Sequence, residues 1–277
     1  PELAVLLSHA KLALQNAIEG APLPDDAIFA DDLHNAFPAL MRRRFGAAID
    51  AHRLRREIIA TKLANRLVNR LGLAAPFTLA EEEGASLAQI AAGFAVVERL
   101  FDLGRLWRDI DQAAIPEAAR LTLFTRVSQA CRLHVANLLR NTPADAMPSS
   151  LLADIGPGVR RIGSRARGLL RQAARIEIGS LRASLTDSGA DARLVERIVN
   201  LFVMDGAIGT AALARHGKGD EMATARAYVR LGEALGLDWA KAAALRLGPT
   251  DPWDRLLTAG LSRDFEQLRL DFLTRRG

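Results

Sequence analysis

The sequence has few of the residues that mark secreted, membrane or disulfide-bonded proteins. It contains one cysteine, Cys131, so no disulfide can form within the chain and nothing here requires an oxidising compartment. Arg, Asp or Glu interrupts every apolar stretch before it is long enough to cross a bilayer. The first residues, Pro1 to Leu7, lack the basic start of a secretory signal, and the chain does not begin with Met. We therefore expect a cytoplasmic segment of a longer protein, with no membrane partner.

Lysine and aromatic residues are also scarce, although the formal net charge is +5. Arginine carries most of the positive charge, and its planar guanidinium suits bidentate pairing with carboxylates as well as phosphate binding. Six arginines lie between Arg160 and Arg175, but no aromatic residue is interleaved with them, so stacking on nucleic-acid bases is not supported. As one continuous helix, this stretch would place Arg160, Arg167, Arg171 and Arg175 on one outer face. These features disfavour nucleic acid as a partner.

The common cofactor and metal patterns are missing as well. In Gly156-Pro157-Gly158 followed by Gly163, the third glycine comes too late for a dinucleotide fingerprint and the proline lacks an N–H group. Cys131 and His134 stand three residues apart, which could supply half of a zinc site, but no further ligands follow at a suitable spacing. The residues therefore predict no catalytic, cofactor-binding or metal-ligating group in this segment.

Alanine, leucine and arginine dominate, β-branched residues are sparse, and no period-two alternation is present. These features predict an all-α fold, an irregular multi-helix bundle. Gly20 and Gly72 are helix stop signals, and Ser86 is a helix cap. Apolar spacing with these signals predicts helices over residues 2–19, 38–70, 86–101, 116–140, 159–185, 191–215, 221–235 and 253–275.

A polar stretch with two prolines, residues 141–150, interrupts the helical pattern. Prolines and short polar residues between periodic segments are typical of a connection rather than of a helix. We therefore predict two helical lobes, with an N-terminal lobe at residues 1–142, a linker at 143–150 and a C-terminal lobe at 151–277.

The most distinctive segment is His52–Arg70. As a helix it places seven apolar side chains on one side: Leu54, Ile58, Ile59, Leu63, Leu67, Val68 and Leu71. A polar row at steps of four residues occupies another side: Arg53, Glu57, Thr61, Asn65 and Asn69. Short neutral hydrogen-bonding side chains suit a contact in which donors and acceptors are matched, whereas a solvated face is usually charged. From the residues alone, an interdomain or subunit contact and a plain exposed face remain equal alternatives.

Several blocks of the sequence resemble the large bacterial NAD-specific glutamate dehydrogenases. The segment His52–Arg70 is similar almost throughout to that family's "HRLRREIIAT.LAN..VNR" signature. Further similar blocks are Pro1–Leu7 with Lys11, Phe37-Pro38 with Arg42, Arg44 and Phe45, Glu81–Ser86, Leu103–Ile110, Leu231-Gly232 and Leu235–Trp239. Departures are local: Ala74–Phe77 replaces a "TF" pattern, and His134–Asn137 stands where an aromatic pair is common before "LLRN".

The resemblance implies a non-catalytic, helical C-terminal domain. In that family the catalytic residues and the NAD site belong to the upstream region, so none is assigned to this chain. The whole enzyme is expected to convert L-glutamate and NAD to 2-oxoglutarate, ammonia and NADH. Its expected partners are the upstream catalytic domain of the same chain and further copies in a homo-oligomer. The alternative is a free-standing helical regulator or nucleic-acid-binding protein.

Overall fold

The computed structural model describes residues 2–240 and 252–274, and its regular elements are helices throughout that part of the chain. The all-α prediction is confirmed. The helices are α1 (Glu2–Glu19), α2 (Ala30–His34), α3 (Ala39–Arg44), α4 (Gly46–Asp50), α5 (Arg55–Leu71), α6 (Ala75–Glu83), α7 (Leu87–Leu100), α8 (Leu103–Gln112), α9 (Glu117–Asn141), α10 (Pro148–Gly163), α11 (Ala166–Leu169), α12 (Gln172–Asp187), α13 (Ala192–Val203), α14 (Ala207–His216), α15 (Glu221–Ala234) and α16 (Pro252–Thr274). Two short 3₁₀ turns, Leu23–Asp25 and Ala27–Phe29, join α1 to α2.

Helix ends with a clear local signal lie where the sequence predicts them. The first helix ends at Glu19, before Gly20. Ser86 begins α7 with a capping box, in which its side chain accepts from the backbone of Gln89 and the Gln89 side chain accepts from the backbone of Ser86. Gly72 ends α5 with φ of 92°, a conformation that favours glycine. The predicted end of the last helix at Arg275 lies outside the described residues.

The predicted long helix from Pro38 to Arg70 is wrong, because three separate helices occupy this segment. Phe45 lies at the junction of α3 and α4, and residues 51–54 separate α4 from α5. The Nδ1 atom of His52 accepts a hydrogen bond from the Leu54 backbone N–H at 3.1 Å, which satisfies a donor before the helix starts. Leu54 therefore precedes the helix and is exposed rather than part of the apolar face.

Two other long helices predicted from the sequence are also interrupted. The stretch 159–185 holds the end of α10, the short α11 and most of α12, with α10 starting as early as Pro148. The four arginines Arg160, Arg167, Arg171 and Arg175 consequently do not share one helix face. The stretch 191–215 is divided between α13 and α14, where Gly206 adopts φ of 76°. The apolar residues keep a helical spacing across these breaks, because the helices on both sides of each break pack on the same core.

The described helices share one buried apolar cluster that runs from Leu14 in α1 to Ala225 in α15. It includes Trp107 and Phe94, whose rings stack with centroids 6.0 Å apart. Helix α10 packs on α7, and α14 packs on α9, so helices on either side of the predicted linker contact one another. The structure thus does not confirm a division into two lobes, and the boundaries at 142 and 151 stay a prediction. No single described helix is long and apolar enough to cross a membrane, whereas α13 and α14 together pass that test by length and composition as a pair bent by 50°.

Many arginines pair with carboxylates of this chain. Arg66 contacts Asp32 and also Glu98, with its Nε atom 3.3 Å from the Glu98 carboxylate. Arg197 binds Asp109 across α13 and α8. These contacts link helices that are distant in sequence, so part of the positive charge is used inside the domain.

Candidate functional site

The predicted polar row lies on α5, with one exception. Glu57, Thr61, Asn65 and Asn69 follow one another at steps of four along the helix. Arg53 stands two residues before the first residue of α5, so it lies beside the row rather than in it. The row is therefore a real helical face that is one residue shorter than the sequence predicted.

The side chains of this row are open to contact. Arg53, Thr61 and Asn69 are exposed, while Glu57 and Asn65 are half-buried. Neither the four side chains of the row nor that of Arg53 makes a side-chain hydrogen bond or ion pair with another residue in ranges 2–240 and 252–274. Their donors and acceptors can be satisfied by water or by a partner surface.

The opposite side of α5 fixes the helix in the domain. Ile59, Leu63 and Leu67 are at most 1% exposed and belong to the shared core. Helix α5 packs most extensively on α1, and Arg56 extends this contact by donating to the backbone oxygens of Glu19 and Ala21. The helix is thus held from one side while its polar row faces outward.

The polar row continues into a groove of about 900 Å³, to which Asn69 and Arg70 contribute. Helices α5, α6, α8, α9 and α16 supply its walls. The guanidinium of Arg70 lies 5.3 Å from the ring centroid of Trp107 and 5.8 Å from that of Phe124, which holds this charge at the groove margin.

A charged network forms the wall of the groove between α6, α9 and α16. Arg140 binds Glu83 with two hydrogen bonds and also contacts Glu266 at 3.3 Å. Asn137 donates to Glu266 and accepts from the backbone N–H of Gly209 at 2.8 Å. Burial lowers the pKa of Arg140, but the two carboxylates outweigh it and leave that pKa above its usual value.

Sequence reasoning did not single out this network. The sequence did contain a signal for both residues, because Glu83 lies in the family-like block Glu81–Ser86 and Arg140 lies in the "LLRN" stretch, Leu138–Asn141. A bidentate pair, however, joins residues 57 positions apart, and only the packing of α6 on α9 brings them together.

A second surface feature is the start of α1. Residues 2–6 are all exposed, and they include Leu3, Val5 and Leu6. Leu14 and Ile18, in contrast, are fully buried in the core. The first turns of this helix therefore present apolar side chains that no described residue covers.

The residues considered for cofactor or metal binding lie inside helices α9 and α10, where most of them are buried. Gly156 and Gly158 lie inside α10, and a Cβ atom at Gly158 would approach the Cβ of Ala211 to 3.2 Å, so this glycine allows α10 to pack closely on α14. Cys131 is fully buried, and burial raises its pKa well above the usual value. The Nε2 atom of His134 lies 2.9 Å from the Leu201 carbonyl oxygen. Within the described residues, no group of three or more His, Cys, Asp or Glu side chains could hold a metal ion.

Comparison with known protein families identifies the family of this chain. The family model described as "Glutamate dehydrogenase, C-terminal" matches residues 1–275. The chain belongs to this family.

Relatives of this family member are NAD-specific glutamate dehydrogenases. The chain is 28% identical over 270 residues to the protein of Pseudomonas aeruginosa, 29% over 268 residues to that of Mycobacterium tuberculosis and 26% over 261 residues to that of Halomonas elongata. These alignments cover 96%, 95% and 91% of this chain, respectively, but 16% of each relative. The chain thus spans about one sixth of the length of these relatives.

Proposed function

We propose that this chain is the non-catalytic C-terminal helical domain of an NAD-specific glutamate dehydrogenase. The observation that carries the proposal is the family match over residues 1–275, together with relatives that are about six times longer. The whole protein then oxidatively deaminates L-glutamate to 2-oxoglutarate and ammonia, with NAD bound upstream of this domain.

The catalytic and cofactor groups are proposed to lie outside this segment. The glycines that come closest to a dinucleotide fingerprint are helical, and their backbone N–H groups are therefore engaged in α10 rather than free to hold a pyrophosphate. The full-length protein should reduce NAD in the presence of glutamate, and the purified 277-residue chain should not. Turnover by the isolated chain that persists after contaminating dehydrogenase is removed would overturn this assignment.

The polar row of α5 is proposed to contact the rest of the parent enzyme or a neighbouring subunit. Thr61, Asn65 and Asn69 offer short hydrogen-bonding groups that have no partner among the described residues. The opposite face of the same helix is buried in the core. The exposed apolar start of α1 is a second surface that a partner can cover. A contact of this kind could join subunits of a homo-oligomer, which we propose for the whole enzyme together with a location in the cytoplasm.

A double substitution tests this contact. Thr61→Ala combined with Asn65→Ala should weaken activity or assembly of the full-length enzyme, because matched hydrogen bonds at the contact are lost. The exposed amide of Gln112, at the end of α8, provides the control substitution Gln112→Ala. Unchanged kcat, KM and sedimentation of the double variant would rule out a contact through this row.

The alternative, a nucleic-acid-binding protein, makes a different prediction. If the chain is a dehydrogenase domain, its scattered arginines should make only nonspecific contacts with phosphates, and DNA binding should disappear at moderate salt. Sequence-selective DNA binding at physiological salt would favour the alternative over the dehydrogenase domain.

A further inference from the structure

A separate cavity of about 380 Å³ lies among the C-terminal helices, and we call it the inner pocket. Residues of α9 to α16 line it, and the polar row of α5 takes no part in it. By proportion to a 150 Å³ cavity that holds benzene, it has room for roughly 15 non-hydrogen atoms. This volume is within the range of small-molecule sites.

The wall of the inner pocket is mainly apolar. Six helices each contribute at least one apolar side chain to it, among them Leu133, Ile162, Ile178, Phe202, Val229 and Phe265. All of these except Ile162 are half-buried, so part of their apolar surface remains accessible. A ligand that covers this surface removes it from water, which favours binding of an apolar molecule.

The two arginines that line the pocket already have carboxylate partners. Arg269 binds Asp238, and its guanidinium lies 4.2 Å from the ring centroid of Tyr228. Arg171 lies 3.1 Å from the carboxylate of Glu233. Both positive charges are thus compensated within the chain, and the face of Tyr228 that Arg269 covers is closed to a ligand.

The other acidic residues of the wall do not offer a free charge inside the pocket. Glu266 contacts Arg140 at 3.3 Å, and Asp205 also has an interaction partner. Glu177 is exposed, so water can hydrate its carboxylate. A charged ligand would have to break one of the existing pairs or bury its charge without a partner, and both cost free energy.

Two glycines make room for the charged pair and the tyrosine ring in the wall. A Cβ atom at Gly232 would overlap the guanidinium of Arg269 and lie 2.6 Å from the carboxylate of Asp238. A Cβ atom at Gly206, where φ is 76°, would lie 2.6 Å from the Tyr228 hydroxyl oxygen. Gly232 and Asp238 belong to two of the family-like sequence blocks, so these blocks shape the pocket.

We propose that the inner pocket binds an uncharged, largely apolar organic molecule. The apolar wall covers the body of the molecule, and its neutrality leaves the surrounding ion pairs intact. The site therefore selects against cations and anions alike. Neither the catalytic assignment nor the contact through α5 is needed for this site.

Three probes of similar shape and different charge test the proposal: 2-naphthalenemethanol, 2-naphthylmethylamine and 2-naphthoate. We expect isothermal titration calorimetry of the full-length protein to give about tenfold tighter binding for the alcohol than for either ion. Added salt should leave binding of the alcohol unchanged, because no charge pair forms with it. Its binding enthalpy should become more negative as the temperature rises, since burial of apolar surface lowers the heat capacity.

Two variants connect the binding to this pocket. Ala225→Leu fills the cavity from α15 and should abolish binding of the alcohol. Ala174→Leu narrows the cavity from α12 and should weaken that binding about tenfold. The matched controls are Ala223→Leu on α15 and Ala183→Leu on α12, at exposed positions that do not line the pocket, and both should bind the alcohol normally.

Three results would overturn the proposal. These are no binding of the alcohol at millimolar concentration, binding of either ion as tightly as the alcohol, and unchanged binding of the alcohol in the two pocket variants. If Ala225→Leu does not fold, Ala174→Leu decides the question, because its side chain is only half-buried and the protein can accept a larger one there.

Discussion

Arg140 and Glu83 form a bidentate pair between α9 and α6. The Nε atom of Arg140 lies 2.7 Å from one carboxylate oxygen of Glu83, and Nη2 lies 2.5 Å from the other. The Glu83 side chain is 2% exposed and that of Arg140 is 15% exposed. Such a pair is shielded from solvent, so loss of one partner leaves a charge that water cannot fully stabilise.

Replacing Glu83 should therefore destabilise the domain. We expect Glu83→Gln to lower the free energy of unfolding by about 2–3 kcal/mol, since Arg140 keeps its contact with Glu266. Glu81→Gln, on an exposed position of the same helix, should change it by less than about 0.5 kcal/mol. Urea unfolding of both variants measures the difference, and equal effects would contradict a structural role for the pair.

Glu98 should make stability fall as the pH rises. Burial raises the pKa of Glu98 above its usual value, although Arg66 and Arg99 oppose this shift. The folded state then binds a proton more tightly than the unfolded state, so ionisation of Glu98 costs stability. This effect begins near pH 4.5, the unfolded value, and is complete above the raised folded pKa.

The comparison with Glu98→Gln isolates this effect from the other carboxylates. The stability of the original protein relative to that variant should decrease from pH 4.5 upward and then level off. Urea unfolding at several pH values between about 4 and 8 measures it. A relative stability that rises with pH would show that Arg66 and Arg99 dominate over burial.

Two glycine-to-alanine substitutions should have opposite effects. Gly232→Ala would force a methyl group against Arg269 and Asp238, so we expect a loss of about 1–3 kcal/mol. Gly179 lies inside α12, where an added methyl group would have no neighbour within 4 Å, and Gly179→Ala should stabilise by up to about 1 kcal/mol. Thermal unfolding followed by circular dichroism distinguishes them, and a stable Gly232→Ala protein would mean that Arg269 moves freely.

The two faces of α5 should separate in stability measurements. Ile59 is 1% exposed, and Ile59→Ala should cost about 2–5 kcal/mol. Asn65→Ala removes a half-buried side chain without a hydrogen-bond partner among the described residues, and stability should change little. Denaturation midpoints of the two variants test this separation; a large loss in Asn65→Ala would place the residue in the internal structure instead.

The candidate site was partly predictable. The spacing of Glu57, Thr61, Asn65 and Asn69 defined an outward face because helical periodicity is a local property. The position of Arg53 was misjudged because His52 supports a turn through a contact that periodicity does not describe. Glu83 and Arg140 were visible within family-like blocks, but their pairing depends on two helices meeting in space.

The sequence by itself determined the helical class, the start of α7 at Ser86 and the buried face of α5, because composition, caps and periodicity act over one or two helical turns. The family followed from the resemblance of whole sequence blocks and not from these local patterns. Only the tertiary structure decided where long apolar patterns break, as at Gly206, since both flanking helices bury residues in one core and keep the same periodicity. It also decided that Tyr228, Arg269 and Asp238 surround one pocket. Contacts between distant helices depend on their packing, which local sequence patterns do not specify.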